Sequence, residues 1–164
     1  MPSIEHFKSA VANTTGFLTG NRYKVTLSKL NSGNISLFCN KIDLPSIDYT
    51  QVDLDIGGKL VHVPSKYALG DIQLTFYNTG PELLSIYNFC NANVYMPNHA
   101  IGYYDDIAMD IQVVEYNTAD TVILTRKFRS CILKSVSTIS LAYAESTEVQ
   151  QFTISFSCGS YLMN

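Results

Sequence analysis

A Gly-Gly pair flanked by alternating apolar residues constrains the fold of this chain more than any other feature. Gly57-Gly58 lies between two segments in which every second residue is mostly aliphatic. This pattern is typical of a β-hairpin with a two-residue turn, because both turn positions favour a positive φ. The predicted cross-strand pairs are Ile56 with Lys59, Leu54 with Val61, and Val52 with Val63.

One face of this hairpin, which we place at residues 47–66, is therefore mostly apolar. The opposite face carries polar side chains, namely those of Gln51, Asp53, Asp55 and His62. Because a two-stranded ribbon is marginally stable alone, the apolar face predicts a partner surface. That surface belongs either to a neighbouring subunit or to the ribbon's own domain, against which it would fold as a sheet edge.

The rest of the chain is also rich in period-2 segments, which predict further strands. They cover Tyr23 to Leu27, Ile35 to Cys39, Ile72 to Phe76, Met109 to Val113, Val122 to Leu124, Cys131 to beyond Val136, and Phe152 to Cys158. The first two are predicted to form a hairpin around the turn at residues 31–34. A helix is predicted to begin at Pro81, with its apolar stripe on Leu83, Tyr87 and Cys90 and with Leu84 and Ile86 beside that stripe.

These elements predict one mainly β domain over residues 1–164, an antiparallel sandwich or barrel with one packed α-helix. Residues 1–20 are predicted to form a short N-terminal helix, with apolar residues Ile4, Phe7 and Val11, followed by an arm. Phe17 and Leu18 in this arm need cover, so the arm is either frayed or docked on a neighbour.

Charge and composition exclude several classes of protein. Only 15% of the 164 residues are charged and the formal net charge is −3, which argues against a basic surface for nucleic acid. The start of the chain does not have the pattern of a signal peptide, and no apolar run reaches the roughly 18 residues of a membrane span. We therefore expect a protein that folds in a cytoplasm and has no membrane anchor.

No catalytic or metal-binding pattern is present in the sequence. The three histidines fit no metal motif, and His62 facing Asp53 indicates a cross-strand polar pair. The four cysteines are far apart, so a zinc site is not expected. They are interpreted as small buried residues, with a disulfide formed late, in a particle exposed to air, as the alternative. We expect no enzyme activity and no cofactor.

Landmarks in a consistent order resemble those of the tail-tube proteins of contractile-tailed bacteriophages. That family is related in fold to the tubes of type VI secretion systems and contractile injection particles. The matching segments are residues 22–25, the stretch 38–45 ending in Leu44-Pro45, the Gly-bearing ribbon closing with Val63-Pro64, residues 70–78, the helix 83–89, and residues 148–156. Together they span nearly the whole chain.

This resemblance implies a structural protein that forms stacked hexameric rings of a hollow tube. Each subunit would give four strands to an inner β-barrel, which the ring completes. The implied partners are further copies of the chain, the tail sheath protein, and the baseplate hub and tail terminator proteins. The tape-measure protein and genomic DNA would pass through the lumen. The implied location is the virion tail, assembled in the host bacterial cytoplasm.

We expect the contacts between subunits or rings to involve the ribbon and, second, the N-terminal helix and arm. The candidate residues are Val52, Leu54, Ile56, Lys59, Val61 and Val63 in the ribbon, and Phe7, Phe17 and Leu18 in the helix and arm. One alternative is a baseplate, tube-initiating or tube-terminating ring of the same fold, or a tube component of an injection system. Another, from a different class, is an effector or a small-ligand-binding sandwich.

Overall fold

The computed structural model describes Ile4, Glu5, Lys8 and residues 22–30, 35–94, 101–139 and 149–163. From residue 22 onward the described chain forms nine strands, two α-helices and one π-helical segment. The strands are β1 (Tyr23–Leu27), β2 (Cys39–Asp43), β3 (Ile47–Ile56), β4 (Lys59–Leu69), β5 (Asp71–Tyr77), β6 (Met109–Tyr116), β7 (Val122–Val136), β8 (Gln151–Ser157) and β9 (Ser160–Met163). The helices are α1 (Pro81–Phe89), continued by the π segment Cys90–Val94, and α2 (Tyr104–Ile107). Ile4, Glu5 and Lys8 are helical.

Seven strands form one antiparallel sheet, and the long strand β7 belongs to both of its halves. One half-sheet contains β1, β6, β9 and the first part of β7, and the other contains the last part of β7 with β8, β5 and β2. The strand order is β1-β6-β7-β8-β5-β2, with β9 also paired to β7. The first part of β7 pairs with β6 and β9, and its last part pairs with β8. Between these parts Ser130 has a φ of 54°, and the register with β6 shifts there. Such a bulge bends a strand, which lets β7 pass from one half-sheet into the other.

The two half-sheets and α1 enclose a single apolar core. Strand β8 contributes Phe152, Ile154 and Phe156, which are at most 1% exposed. Their polar neighbours along the strand lie on its other face, as the alternation of the sequence predicts. Helix α1 adds Ile86 and Phe89 to this core. The mainly β, antiparallel fold with one packed helix is therefore confirmed, and the sheet described does not close into a barrel within one chain.

The predicted hairpin of β1 with the following strand is wrong. β1 pairs with β6, and β2 pairs with β5. Residues 35–37 form a turn, and the second strand begins at Cys39, later than predicted. An alternating pattern specifies which face of a strand is buried and leaves its partner open, so both strands found partners distant in sequence.

Two further details differ from the sequence predictions. In α1 the buried residues are Glu82, Ile86 and Phe89. Of the predicted stripe, Cys90 just beyond α1 is buried, whereas Tyr87 is 44% exposed. Cys131 and Cys158 form a disulfide between β7 and the end of β8, where the sequence favoured free thiols. Register explains this disulfide, because Ile132 pairs with Ser157 and thereby places the two cysteines on adjacent strands. Cys39 and Cys90 are free.

Candidate assembly surfaces

Strands β3 and β4 form a ribbon that pairs with no other strand described. Its residues are exposed on both faces from Ile47 to Ala68. The turn at Gly57 and Gly58 has φ values of 63° and 79°, the left-handed conformation that a two-residue hairpin turn requires. Asp55 Oδ1 accepts a 3.0 Å hydrogen bond from the Gly58 N–H. The turn is thus set by local chemistry, while both ribbon faces are available for contacts.

The register predicted for the ribbon is confirmed. Ile56 pairs with Lys59, Leu54 with Val61, and Val52 with Val63. These residues share one surface, which we call the aliphatic face. Its apolar side chains remain partly uncovered, with exposures of 46% for Val52, 45% for Leu54, 63% for Ile56, 40% for Val61 and 39% for Val63. The alternative in which this face folds onto its own domain is therefore not observed.

Lys66 is a further member of the aliphatic face, which the alternating pattern did not predict. Pro64 pairs with Gln51 and Lys66 pairs with Thr50, so the register shifts by one residue at Ser65. The shift puts Lys66 on the same face as Val52, because cross-strand partners point the same way. The aliphatic face thus has one lysine, Lys59, at its tip and another towards its base.

The opposite face of the ribbon is aromatic and acidic. Tyr49 pairs with Tyr67, and both rings are more than half exposed. His62 Nδ1 lies 2.5 Å from Asp53 Oδ1, which confirms the cross-strand polar pair. The two side chains are 58% and 54% exposed, so this polar pair lies on the open surface of the ribbon.

A second candidate surface is the polar face of the half-sheet β7-β8-β5-β2, opposite the core. Its side chains carry mostly hydroxyl and amide groups. They include Gln73, Thr75, Gln151, Thr153, Ser155 and Ser157. Thr75 and Thr153 join their strands by a 3.0 Å hydrogen bond between hydroxyls, and Asn40 Nδ2 donates to Gln151 Oε1 at 3.4 Å. This face is thus polar and largely uncharged.

Among the described residues, the charged side chains on this polar face occur in two ion pairs. Lys41 Nζ lies 2.7 Å from Asp43 Oδ2, and both residues face the same side of β2 as their partners Thr75 and Gln73 on β5. Lys134 Nζ lies 2.5 Å from Asp71 Oδ2. The Lys-x-Asp spacing on a strand signals the first pair in the sequence. The second joins residues 63 positions apart, for which the sequence has no signal.

Two half-buried groups at the margin of the core have raised pKa values. Burial raises the pKa of the Cys39 thiol to about 12, and burial followed by the nearby Cys39 raises the pKa of Tyr23 to about 12. The Tyr23 hydroxyl donates a 3.2 Å hydrogen bond to the Cys39 carbonyl oxygen. Both groups are therefore protonated at neutral pH, which suits a packing role and not that of a nucleophile.

The described residues also constrain other classes of site. No three of their His, Cys, Asp or Glu side chains come together in a group that could hold a metal ion. Among them no helix is long and apolar enough to cross a membrane. The predicted contact residues Phe7, Phe17 and Leu18 lie outside the described residues.

No protein-family model and no curated protein matches the chain. Solved structures do match in fold. One is a chain from the sheath–tube complex of PVC, an extracellular contractile injection system, in its extended state. It is 17% identical, with 100% of this chain and 99% of that chain covered and a TM-score of 0.69.

Two chains of the anti-feeding prophage match about equally well. One is from its cap, a tube-terminating cap, with 16% identity, coverage of 92% and 93%, and a TM-score of 0.69. The other is from its baseplate, with 14% identity, coverage of 92% and 97%, and a TM-score of 0.68. The chain therefore has the fold found in these contractile assemblies, and the fold expected from the tail-tube resemblance is confirmed.

Proposed function

We propose that this chain is a structural subunit that assembles with copies of itself into six-membered rings, which stack into the hollow tube of a contractile tail or injection particle. The observation that carries this proposal is the ribbon of β3 and β4. It projects from the domain with an uncovered aliphatic face, on a fold otherwise found in contractile assemblies. An exposed apolar surface of this kind is typical of an interaction site.

The ribbon would join one subunit to the next. Its contact residues in this proposal are Val52, Leu54, Ile56, Lys59, Val61 and Val63. Phe7, Phe17 and Leu18 of the N-terminal helix and arm are proposed as the second contact region. Sheath, terminator and baseplate proteins would bind the assembled tube, since the similar folds come from a sheath–tube complex, a tube-terminating cap and a baseplate.

The half-sheet β7-β8-β5-β2 would be each subunit's contribution to the inner barrel. Within the described residues β2 pairs only with β5, so its other edge is open for pairing with a neighbour. Closing a ring of such sheets removes exposed strand edges and turns their polar face towards the lumen. In a phage particle, assembled in a bacterial cytoplasm, the lumen would hold a tape-measure protein and genomic DNA.

A tube-terminating or tube-initiating ring is the second candidate. The cap and baseplate chains of the anti-feeding prophage match this fold as well as the sheath–tube chain does, with TM-scores of 0.68 to 0.69. Such a ring would bind a tube at one end and would not extend it.

Negative-stain electron microscopy of the purified protein tests both candidates. Hollow rods or stacked six-fold rings are the result expected of a tube subunit. Single six-fold rings that never stack, even with preformed tube ends present, would favour the terminating or initiating ring. A protein that stays monomeric both alone and with a purified baseplate complex would contradict the proposal.

A further inference from the structure

In the part of the chain that the structure describes, the polar face of the half-sheet β7-β8-β5-β2 carries equal numbers of positive and negative side chains. Its described cations are Lys41 and Lys134, and its anions are Asp43 and Asp71. The exposed fraction of the side chain is 64% for Lys41, 59% for Lys134, 50% for Asp43 and 29% for Asp71. All four side chains therefore reach the surface of this face. The remainder of this face is mostly hydroxyl and amide.

Each lysine on this face lies within direct contact of a carboxylate. The Nζ–Oδ2 distances are 2.7 Å for Lys41 with Asp43 and 2.5 Å for Lys134 with Asp71. A lysine without a carboxylate partner on such a face can bind a phosphate of a nucleic acid, because neutralising that phosphate releases counterions condensed on the nucleic acid. A carboxylate in contact with the ammonium competes with that phosphate and repels it.

We propose that Asp43 and Asp71 act as guards that prevent Lys41 and Lys134 from capturing phosphate-bearing cargo on this face. This inference rests on the proposed function in that it places the face in the lumen of a tube. Lys41 then pairs within β2, and Lys134 reaches across β8 to Asp71 on β5, and neither lysine holds cargo on this face. A polyanion such as single-stranded or duplex nucleic acid passes along such a face without being held.

The test removes the guards and keeps the lysines. The Asp43→Asn/Asp71→Asn variant frees two cations per subunit while nearly preserving side-chain shape. A fluorescent single-stranded thymidine oligonucleotide is titrated against the assembled protein and followed by anisotropy at low salt. We expect the variant to bind at least about tenfold more tightly than the unmodified chain, and two new phosphate contacts predict about a sevenfold loss between 50 and 200 mM salt.

Two controls separate guarding from a change in overall charge. Asp105→Asn/Asp106→Asn removes the same two charges from the exposed helix α2, where neither carboxylate forms an ion pair with a described residue. Both double variants change the formal net charge from −3 to −1, since each substitution removes one negative charge. Adding Lys41→Gln and Lys134→Gln to the guard variant should abolish its gain in binding.

The guard role is overturned if Asp43→Asn/Asp71→Asn binds the oligonucleotide no better than the unmodified chain or than the α2 control. It is also overturned if the unmodified chain binds as tightly as the variant. Electron microscopy of the same samples reports assembly separately. Rings with no change in binding therefore refute the guards alone, whereas a gain in binding by monomers that form no rings, either alone or with a purified baseplate complex, refutes the tube.

Discussion

Two aspartates on the aliphatic face of the ribbon should prevent assembly and leave the domain folded. The change is Leu54→Asp with Val61→Asp, which places a pair of carboxylates on cross-strand neighbours in the centre of that face. The core does not contain either residue, since Leu54 is 45% and Val61 40% exposed in the isolated subunit. The monomer should therefore keep its circular dichroism spectrum and its cooperative unfolding.

The expected effect on assembly follows from these exposures. Somewhat less than half of each side chain remains to be buried, which at roughly 1.5–3 kcal/mol per fully buried aliphatic side chain gives about 2 kcal/mol for the pair. Burying the introduced carboxylates costs several kcal/mol per ion after relaxation. The sum exceeds about 5 kcal/mol per ribbon, which weakens each contact by more than about a thousandfold.

Sedimentation and electron microscopy at matched concentrations measure this effect. The matched control is Gln51→Asp with Leu60→Asp, which adds the same charge to the opposite face of the same ribbon. We expect assembly by the control and none by the aliphatic-face variant. Normal assembly of Leu54→Asp/Val61→Asp, or an equal block by both variants, would refute the assignment of the contact to this face.

Three further predictions concern the domain itself. Phe152→Ala should lower the free energy of unfolding by about 3–5 kcal/mol in urea titrations, because the ring is 1% exposed in the core, and a loss under about 1 kcal/mol would contradict this. Gly102→Ala should lower the free energy of unfolding by about 1–3 kcal/mol in the same titrations, because the added Cβ would lie 1.9 Å from the Asn93 carbonyl oxygen. An unchanged free energy of unfolding would show that the backbone at Gly102 can move away from Asn93. The Cys39 pKa, raised by burial to about 12 from an ordinary 9.0, means that the folded chain keeps a proton which the unfolded chain loses. The contribution of Cys39 to the free energy of unfolding should be fully present below pH 9 and be lost as the pH rises towards 12. In urea titrations between about pH 8 and 11, the free energy of unfolding of Cys39→Ala should therefore fall less steeply than that of the unmodified chain.

Local sequence patterns were sufficient for the features that depend on adjacent residues. The Gly57-Gly58 turn, the register at its tip and the buried face of β8 each follow from alternation and turn chemistry. The start of α1 at Pro81 follows from the rule that proline is tolerated in the first turn. In all these cases one segment contains the whole signal.

Features that depend on distant residues could not be predicted in this way. β1 carries a clear alternating pattern, yet its partner β6 lies more than 80 residues away. The predicted strands at Val122 and Cys131 are one strand, because the positive φ of Ser130 bends the chain without ending it. The four-residue strand β9 is too short to give a period-2 signal. The guard contact between Lys134 and Asp71 exists only because β7, β8 and β5 are assembled in that order.

The passage of β7 through both half-sheets limits how the length of this chain can change. A one-residue deletion on either side of Ser130 would move every side chain of β7 beyond the deletion to the opposite face of the sheet. The first part of β7 pairs with β6 and the last part with β8, so each part has its own fixed register. A shift of β7 by one residue cannot restore its register with β6 and with β8 at the same time. A change in the length of β7 should therefore unfold the domain, whichever side of Ser130 it falls on. The bend at Ser130 thus keeps the length of β7 fixed.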